Sequence, residues 1–341
     1  MFRLRNIALP WQAMALFAVN AAAGQTYNAR VIREDLQNAE NRISPTETPF
    51  ISMIATDGGK ATNTYHEWPL LALSAVNASN RVAEGEDAPT LNAPNYAARR
   101  GNYTQISTKT LKLSDTSQAV DDAAQIITKS KQITYKLLEL KRDKETMLLD
   151  NVAAAPGAVN GGSVRVAAGM AAFYLTNTQR GATGTASTLS GTTNGYPNAA
   201  GGVGTPRALT EDMLNTGIQA AWNAGGRPKY VLVSPTNKRV ISKTFNAYGT
   251  RYNSTDSKKL ISAVDVYQSD FGEVQIVPDR FVRGIDVHIL DPEYVAVCNM
   301  WNTRQQPLAR TGLTDNTLIS AQYTLWVGNE AAHALITDTQ G

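Results

Sequence analysis

The sequence predicts an α+β protein built from two dissimilar halves, and three observations carry that expectation. A stripe of apolar residues at helical spacing dominates the first half. Short buried or alternating apolar runs dominate the second, and a tract rich in Gly, Thr, Ser and Asn separates them. The 341 residues exceed what one ordinary core takes up, so two subdomains or an extended architecture is expected.

Thr26 to Phe50 is polar and carries Pro45 and Pro49, which reads as an extended arm with room for one short helix. The turn chemistry of Asp57, Gly58 and Gly59 opens the next element. Lys60–Trp68 and Asn102–Leu113 are rich in Thr and Tyr, as strands are, yet neither shows a clean apolar face. Between them Val76–Ala98 is loop-like and includes Glu84, Glu86 and Asp87. Two strands without a core face, joined by a polar tip, predict a hairpin projecting from the body.

A long helix follows. Ser114, Asp115, Thr116 and Ser117 offer N-caps, and Pro156 with Gly157 supplies a stop. Ala119, Ile126, Ile133, Leu140 and Met147 recur every seven positions, with Ala123 and Leu137 at the offset of four. About 35 residues at a rise of about 1.5 Å give roughly 50 Å. A coiled-coil dimer is the alternative, which Ser130 and Lys144 weaken by breaking the offset positions.

Gly181–Gly204 is expected as a mobile loop. After it, Leu209–Trp222 predicts a helix ended by Gly225 and Gly226, Tyr230–Val233 a short buried strand, and Pro235–Phe245 a second helix. Val264–Tyr267 and Val274–Val277 flank a Ser-Asp-Phe-Gly turn and predict a hairpin. Val287–Leu290 and Val295–Val297 read as buried strands, and Thr317–Val327 with Ala334–Thr337 as a terminal sheet.

Charged residues make up 18% of the chain, below the usual value of about 25%. The net charge is +3, without a dense basic block. Proteins that condense nucleic acid by their own charge carry such a block, because counterion release supplies the affinity. On the long helix Lys129, Lys131, Lys136, Lys141, Arg142 and Lys144 are cancelled by Asp121, Asp122, Glu139, Asp143, Glu145 and Asp150. Pairs such as Glu139 with Arg142 stand at contact spacing, so a solvated or inter-subunit face is expected.

The single cysteine, Cys298, excludes an intramolecular disulfide and a cysteine zinc cluster; its apolar surroundings predict a buried, inert thiol. His66, His288 and His333 match no ligand spacing and read as packing or surface residues. Gly201–Gly204 lacks the Lys-Ser/Thr pair of a phosphate loop, no Gly-x-Ser-x-Gly elbow exists, and the acidic group at 84–87 has too few ligands for a calcium loop. No catalytic, cofactor-binding or metal-binding residue is assigned, no cofactor is expected, and an enzyme is not expected. Arg3 and Arg5 precede an apolar run, and Ala21, Ala22 and Ala23 resemble a cleavage site. Pro10, Trp11 and Gln12 interrupt the run, which is too short to span a bilayer. An exported surface-array protein with a mature start near Gly24 is therefore one alternative, and translation starting at Met14 is another reading of this end.

Several segments, in order, resemble a known family. They are Arg33–Leu36, Ile43–Phe50, Tyr65–Trp68, Gly101–Ile106, Glu139–Asp143, Ala263–Tyr267, Ser269–Gly272, Leu290–Tyr294 and Asn329–His333. The set is similar to the major capsid (major head) proteins of tailed bacteriophages with the Hong Kong 97-type fold, and it spans Thr26 to His333. The resemblance implies an N-terminal arm (1–50), an extended β-hairpin loop and the start of a peripheral domain (51–114), and a long spine helix and peripheral domain (115–206). An axial domain (207–299) and a return to the peripheral sheet (300–341) would follow.

It further implies self-assembly into hexamers and pentamers of an icosahedral head in the host cytoplasm, enclosing double-stranded DNA without sequence-specific binding and without a membrane. A motor drives DNA into such heads, which suits the near-neutral charge. The arm is too short for a fused scaffold, so a separate scaffolding protein is implied, with a portal and a decoration protein as further partners. An encapsulin-like nanocompartment, which shares the fold but holds protein cargo, is the alternative that the resemblance leaves open.

Overall fold

A computed structural model describes residues 45–55, 58–85, 98–120, 128–158, 163–191, 194–245 and 265–340. The arm before residue 45, Ile126 and Ala123 of the expected stripe, and Val264 lie outside the described residues.

Six strands form the larger sheet, in the order β4 (Thr178–Gln179), β14 (Ala334–Ile336), β11 (Val287–Leu290), β8 (Tyr230–Val233), β10 (Gly272–Pro278) and β9 (Val266–Ser269). Its centre is apolar on both faces: Val231, Val233, Ile276, Val287 and Ile289 are buried on one, and Leu232 and Leu290 on the other. Helix α5 (Glu211–Asn223) packs there through Leu214 and Ile218, and α6 (Pro235–Phe245) through Ile241. Helix α5 starts where the Thr210 hydroxyl accepts from the Met213 amide, with Glu211 and Asp212 favouring the positive end of the helix dipole. It ends at Gly225, whose φ of +90° suits glycine, and the Gly226 amide donates back to the Ala221 carbonyl. The helices, the buried strand and the β9–β10 hairpin follow the expected order and nearly the expected bounds.

The second sheet has three antiparallel strands, β12 (Val295–Pro307), β13 (Thr314–Val327) and β3 (Gln105–Ser114). The spine helix α3 (Lys129–Leu149) lies against it, with Leu140, Leu148 and Leu149 in a core shared with Phe50 of α1 (Pro49–Met53), Phe173 of α4 (Met170–Phe173), Tyr174 and Leu325. Thr317–Val327 and Ala334–Thr337 thus do not make one terminal sheet: the first lies in the three-stranded sheet and the second in the six-stranded one. Strand β12 is 13 residues long rather than the short Val295–Val297 run, because its outer half is polar and carries no hydrophobic signal. It also runs through position 299, where an axial boundary was expected.

The spine departs from its expected bounds. Asp115–Ala119 forms a separate short helix, α2, after which Val120 is extended, and α3 stops at Leu149. The stop precedes Pro156 because the next segment finds other partners. Ala155 and Val166 exchange backbone hydrogen bonds, and the Gly169 amide donates to the Val152 carbonyl. Gly169 passes so near the Asp150 carbonyl that a Cβ there would collide with it. The stripe is corrected too: Leu140 is buried, Ile133 and Met147 are partly buried, but Leu137 faces outward. Glu145 takes a place on the buried face.

The expected strand Asn102–Leu113 is two strands meeting at Thr104. Its first part, β2 (Ala98–Tyr103), pairs with β1 (Tyr65–Leu70), and its second, β3, pairs with β13. Nor does the pair lack a core face, since Trp68, Leu111 and Leu113 are buried. Gly181–Gly204 is not a mobile loop where described. β5 (Thr188–Leu189) and β6 (Pro197–Ala199) pair within it, and Arg180 lies where a side chain on Gly201 would stand.

Candidate assembly surface

Strands β1 and β2 form a hairpin base held firmly to the body. Trp68 packs against Phe173 and Trp326 with ring centroids 6.3 Å away in each case. Tyr65 and Tyr103 stack at 4.8 Å, and Tyr196 closes on Tyr103 at 5.0 Å. The Gly195 amide donates to the Arg99 carbonyl, and the Gly101 amide to the Gly195 carbonyl. Beyond Leu70 this support ends. Residues 71–85 have no strand or helix, and Leu71, Leu73, Val76 and Val82 stand in solvent, Leu73 at 90% and Val76 at 98% exposure. Apolar side chains exposed to this degree, on described residues that form no strand or helix, mark a candidate surface for a partner.

A second exposed region is the far end of the β12–β13 ladder. Leu308 and Leu313 are exposed there, and the Arg304 guanidinium stacks over Trp301 at 4.6 Å. The spine's charges behave differently from a nucleic-acid surface. Lys109 pairs with Asp143 at 2.6 Å, Lys129 with Asp315 at 2.6 Å, and Lys136 with Glu139 at 2.9 Å. The first two join the helix to the sheet. Glu139 pairs with Lys136 rather than Arg142, which instead lies 6.0 Å from the centroid of the Phe281 ring. Lys144 sits over Tyr323 at 4.6 Å, and burial pushes its ammonium down to about 8.

The histidines are apart. His288 Nδ1 meets the Tyr174 hydroxyl at 3.2 Å, and His333 Nδ1 accepts from the Asp291 amide at 3.1 Å. Burial pushes both imidazoles down to about 3, with Arg283 adding to the effect at His288. His66 is half-buried beside Trp68 at 5.9 Å. Cys298 is buried, with its thiol donating to the Gly58 carbonyl at 3.2 Å. Glu84 is exposed; Glu86 and Asp87 lie outside the described residues. Among the described residues no group of three or more His, Cys, Asp or Glu is placed to hold a metal. A cavity of about 250 Å³ is lined by Glu47, Pro49, Pro235, Pro278 and Arg280.

Sequence reasoning missed the buried acids. Glu145 accepts from the Phe50 amide at 2.7 Å and the Ile51 amide at 2.9 Å. Asp286 accepts from the Thr337 hydroxyl at 2.5 Å, and Asp338, with φ +62°, accepts from the Gly181 amide at 2.9 Å. The partners are far apart along the chain, so no local pattern announces them. The single clue at Glu145 is a charge on the helix face that also carries Leu148 and Leu149.

A capsid subunit of the Hong Kong 97 type has this arrangement of arm segment, projecting hairpin, spine helix and two sheets, and solved structures share the fold. The chain is similar to the subunit in the cyanophage A-1(L) capsid asymmetric unit (TM-score 0.62, 13% identity, 94% of this chain and 99% of that one). It is similar to the capsid of a native GTA particle (TM-score 0.60, 9% identity, 93% and 99%) and to a chain of Mycobacterium phage Ogopogo (TM-score 0.58, 10% identity, 93% and 99%). Residues 19–340 match the family described as SU10 major capsid protein, and the chain belongs to that family. It is also 31% identical over 117 residues to the major capsid protein of Escherichia phage Phieco32, a match covering 33% of this chain and 31% of that relative. Nothing among these relatives favours an encapsulin-like compartment.

Proposed function

We propose that copies of this chain assemble into the closed icosahedral shell of a phage head, as hexamers and pentamers, and that the chain is a structural component of the virion and not an enzyme. The observation that carries the reading is the extension beyond Leu70, with Leu73 and Val76 almost wholly exposed on a segment whose base is locked into the core. A subunit gains nothing from exposing these side chains by itself; a neighbour covers them. Each such contact is weak, but around a closed ring the later contacts become intramolecular and add up.

The division along the chain follows from the same reading. Residues 1–50 form the arm, 51–114 the extended loop and the start of the peripheral domain, and 115–206 the spine helix and peripheral domain. Residues 207–299 supply most of the axial domain, to which β4 and β14 add strands from outside that range, and 300–341 return to the peripheral side. The shell encloses double-stranded DNA without sequence-specific contacts, in keeping with a net charge of +3. A separate scaffolding protein, a portal and a decoration protein are its partners, and assembly takes place in the host cytoplasm. Negative-stain electron microscopy of the purified chain, with its scaffolding protein where needed, tests this: closed shells of uniform size are expected, and a protein that stays monomeric under all such conditions overturns it.

A further inference from the structure

The geometry points to a strut inside the subunit: residues 181–207 tie the end of the chain to the base of the projecting hairpin, and Asp338 closes the strut where it leaves and re-enters the body. The strut starts after β4 and ends in β7 (Arg207–Ala208). Asp338 meets both ends. Its Oδ2 accepts from the Gly181 amide at 2.9 Å, and its carbonyl accepts from the Arg207 amide at 2.7 Å. The two legs also touch each other: the Thr205 amide donates to the Ala182 carbonyl at 2.8 Å, and a Cβ on Gly181 would collide with the Thr205 carbonyl oxygen. Asp338 is fully buried with φ +62°, a conformation that Asp and Asn adopt more readily than most side chains. Its neighbours fix it from both sides. The Thr337 hydroxyl donates to Asp286 at 2.5 Å, and Thr339, in β15 (Thr339–Gln340), pairs with Arg207. The Thr339 hydroxyl accepts from the Asn237 side chain at 2.8 Å, and the Thr339 amide donates to the Ile285 carbonyl at 3.1 Å. Burial pushes the Arg180 and Arg207 guanidiniums down, and the Asp338 charge opposes that at both.

At its far end the strut grips β2. Asn194 Oδ1 accepts from the Arg99 amide at 2.8 Å, the Gly195 amide donates to the Arg99 carbonyl at 2.9 Å, and the Gly101 amide donates to the Gly195 carbonyl at 3.1 Å. Between the two ends β5 and β6 pair lengthwise, so backbone hydrogen bonds join the legs. The Ala154 amide donates to the Pro197 carbonyl at 2.8 Å, and the Asn151 side chain to the Gly201 carbonyl at 2.7 Å. The strut therefore rests on the residues that follow the spine helix.

The described residues of the strut bury no Val, Leu or Ile, so its shape is held by its hydrogen-bonded ends and not by a core of its own. Loosening one end lowers the cost of loosening the other. Such a coupling between two sites acts equally in both directions. Through it the closing residues of the six-stranded sheet set how firmly the hairpin base is held. The strut belongs to the single subunit and does not depend on the proposal that the chain forms shells.

Hydrogen–deuterium exchange of the full-length chain tests the coupling from both ends. Asp338→Gly keeps the left-handed backbone and deletes the carboxylate. Asn194→Ala, at an exposed position, deletes the far acceptor and leaves the neck untouched. Asp338→Gly should speed exchange of the Arg99 and Gly101 amides, and Asn194→Ala that of the Gly181 and Arg207 amides. Each rise should be about three- to tenfold, the loss of roughly one hydrogen bond. Residues 319–325 of β13, in the core, should exchange as in the wild type. A rise confined to the substituted end overturns the strut, and so does one that residues 319–325 share equally. Should Asp338→Gly fail to fold, Asn194→Ala decides by the same readings.

Discussion

Val231, Val233, Ile276 and Ile289 in the six-stranded sheet are all buried, whereas Leu71, Leu73, Val76 and Val82 beyond the β1–β2 ladder are all exposed. The same residue types occupy both regions, so composition does not separate them. What separates them is backing. The sheet has helices α5 and α6 against it, while the extension leaves the body after Leu70 and its described residues form no strand or helix. One region spends its apolar side chains on the subunit, and under the proposed assembly the other holds them for a neighbour. Between the two lies the hairpin base, which belongs to the subunit's core despite its Thr- and Tyr-rich strands.

The strongest challenge to that contrast is a charge in the backed region. Ile289→Asp or Leu148→Asp would bury a carboxylate without a partner and cost upwards of about 4 kcal/mol. Insoluble protein, or loss of the cooperative melt in circular dichroism, is the expected outcome; a soluble variant with a normal melt would remove these residues from the core. Trp68→Ala probes the boundary. Removing an indole packed between Phe173 and Trp326 should cost about 3–5 kcal/mol by chemical denaturation. A cost under about 1 kcal/mol would make the hairpin base part of the extension instead.

A smaller effect comes from the buried histidines. Both are held neutral in the fold and take up protons when it opens, since burial lowers them from 6.5 to about 3. Their contribution is intact above pH 6.5 and is lost as pH falls toward 3, by up to about 1.4 kcal/mol per pH unit for each. Replacing His288 and His333 by Gln should flatten that part of the acid limb of the stability profile. The smallest effect on folding belongs to the extension: Leu73→Ser with Val76→Ser should shift subunit stability by no more than about 0.5 kcal/mol, while particle yield falls. A large loss of subunit stability would mean that the body itself covers these side chains.

The C-terminal half was readable because its elements are local. Thr210 caps, Gly225 terminates, and the four-residue runs at Tyr230 and Val287 carry enough hydrophobicity to mark buried strands. The first half was readable in kind but not in detail. Thr104 splits one Thr-rich run between two sheets because its two parts find different partners, β1 and β13, and strand propensity does not encode a partner. Leu137 fits a seven-residue repeat yet faces outward, since the spine packs one side against β3 and leaves the other open. The outer half of β12 escaped notice because an edge strand ending in Arg, Gln and Pro has no apolar signature. The exposed extension was legible as a polar tip, while the apolar residues within it acquire meaning only once their exposure is known.

The central claim is that the extension serves neighbouring subunits and not its own. Replacing residues 71–97 with an Asn-Gly turn tests it most directly, because Leu70 and Ala98 are already paired across the ladder and a short closed loop costs little entropy. Wild type and variant should be melted side by side by circular dichroism, then compared by sedimentation and electron microscopy under assembly conditions. The account predicts matching melts, closed shells from the wild type, and free subunits or irregular fragments from the variant. A variant that unfolds would place the extension in the subunit's own core, and one that builds uniform shells would contradict the claim outright.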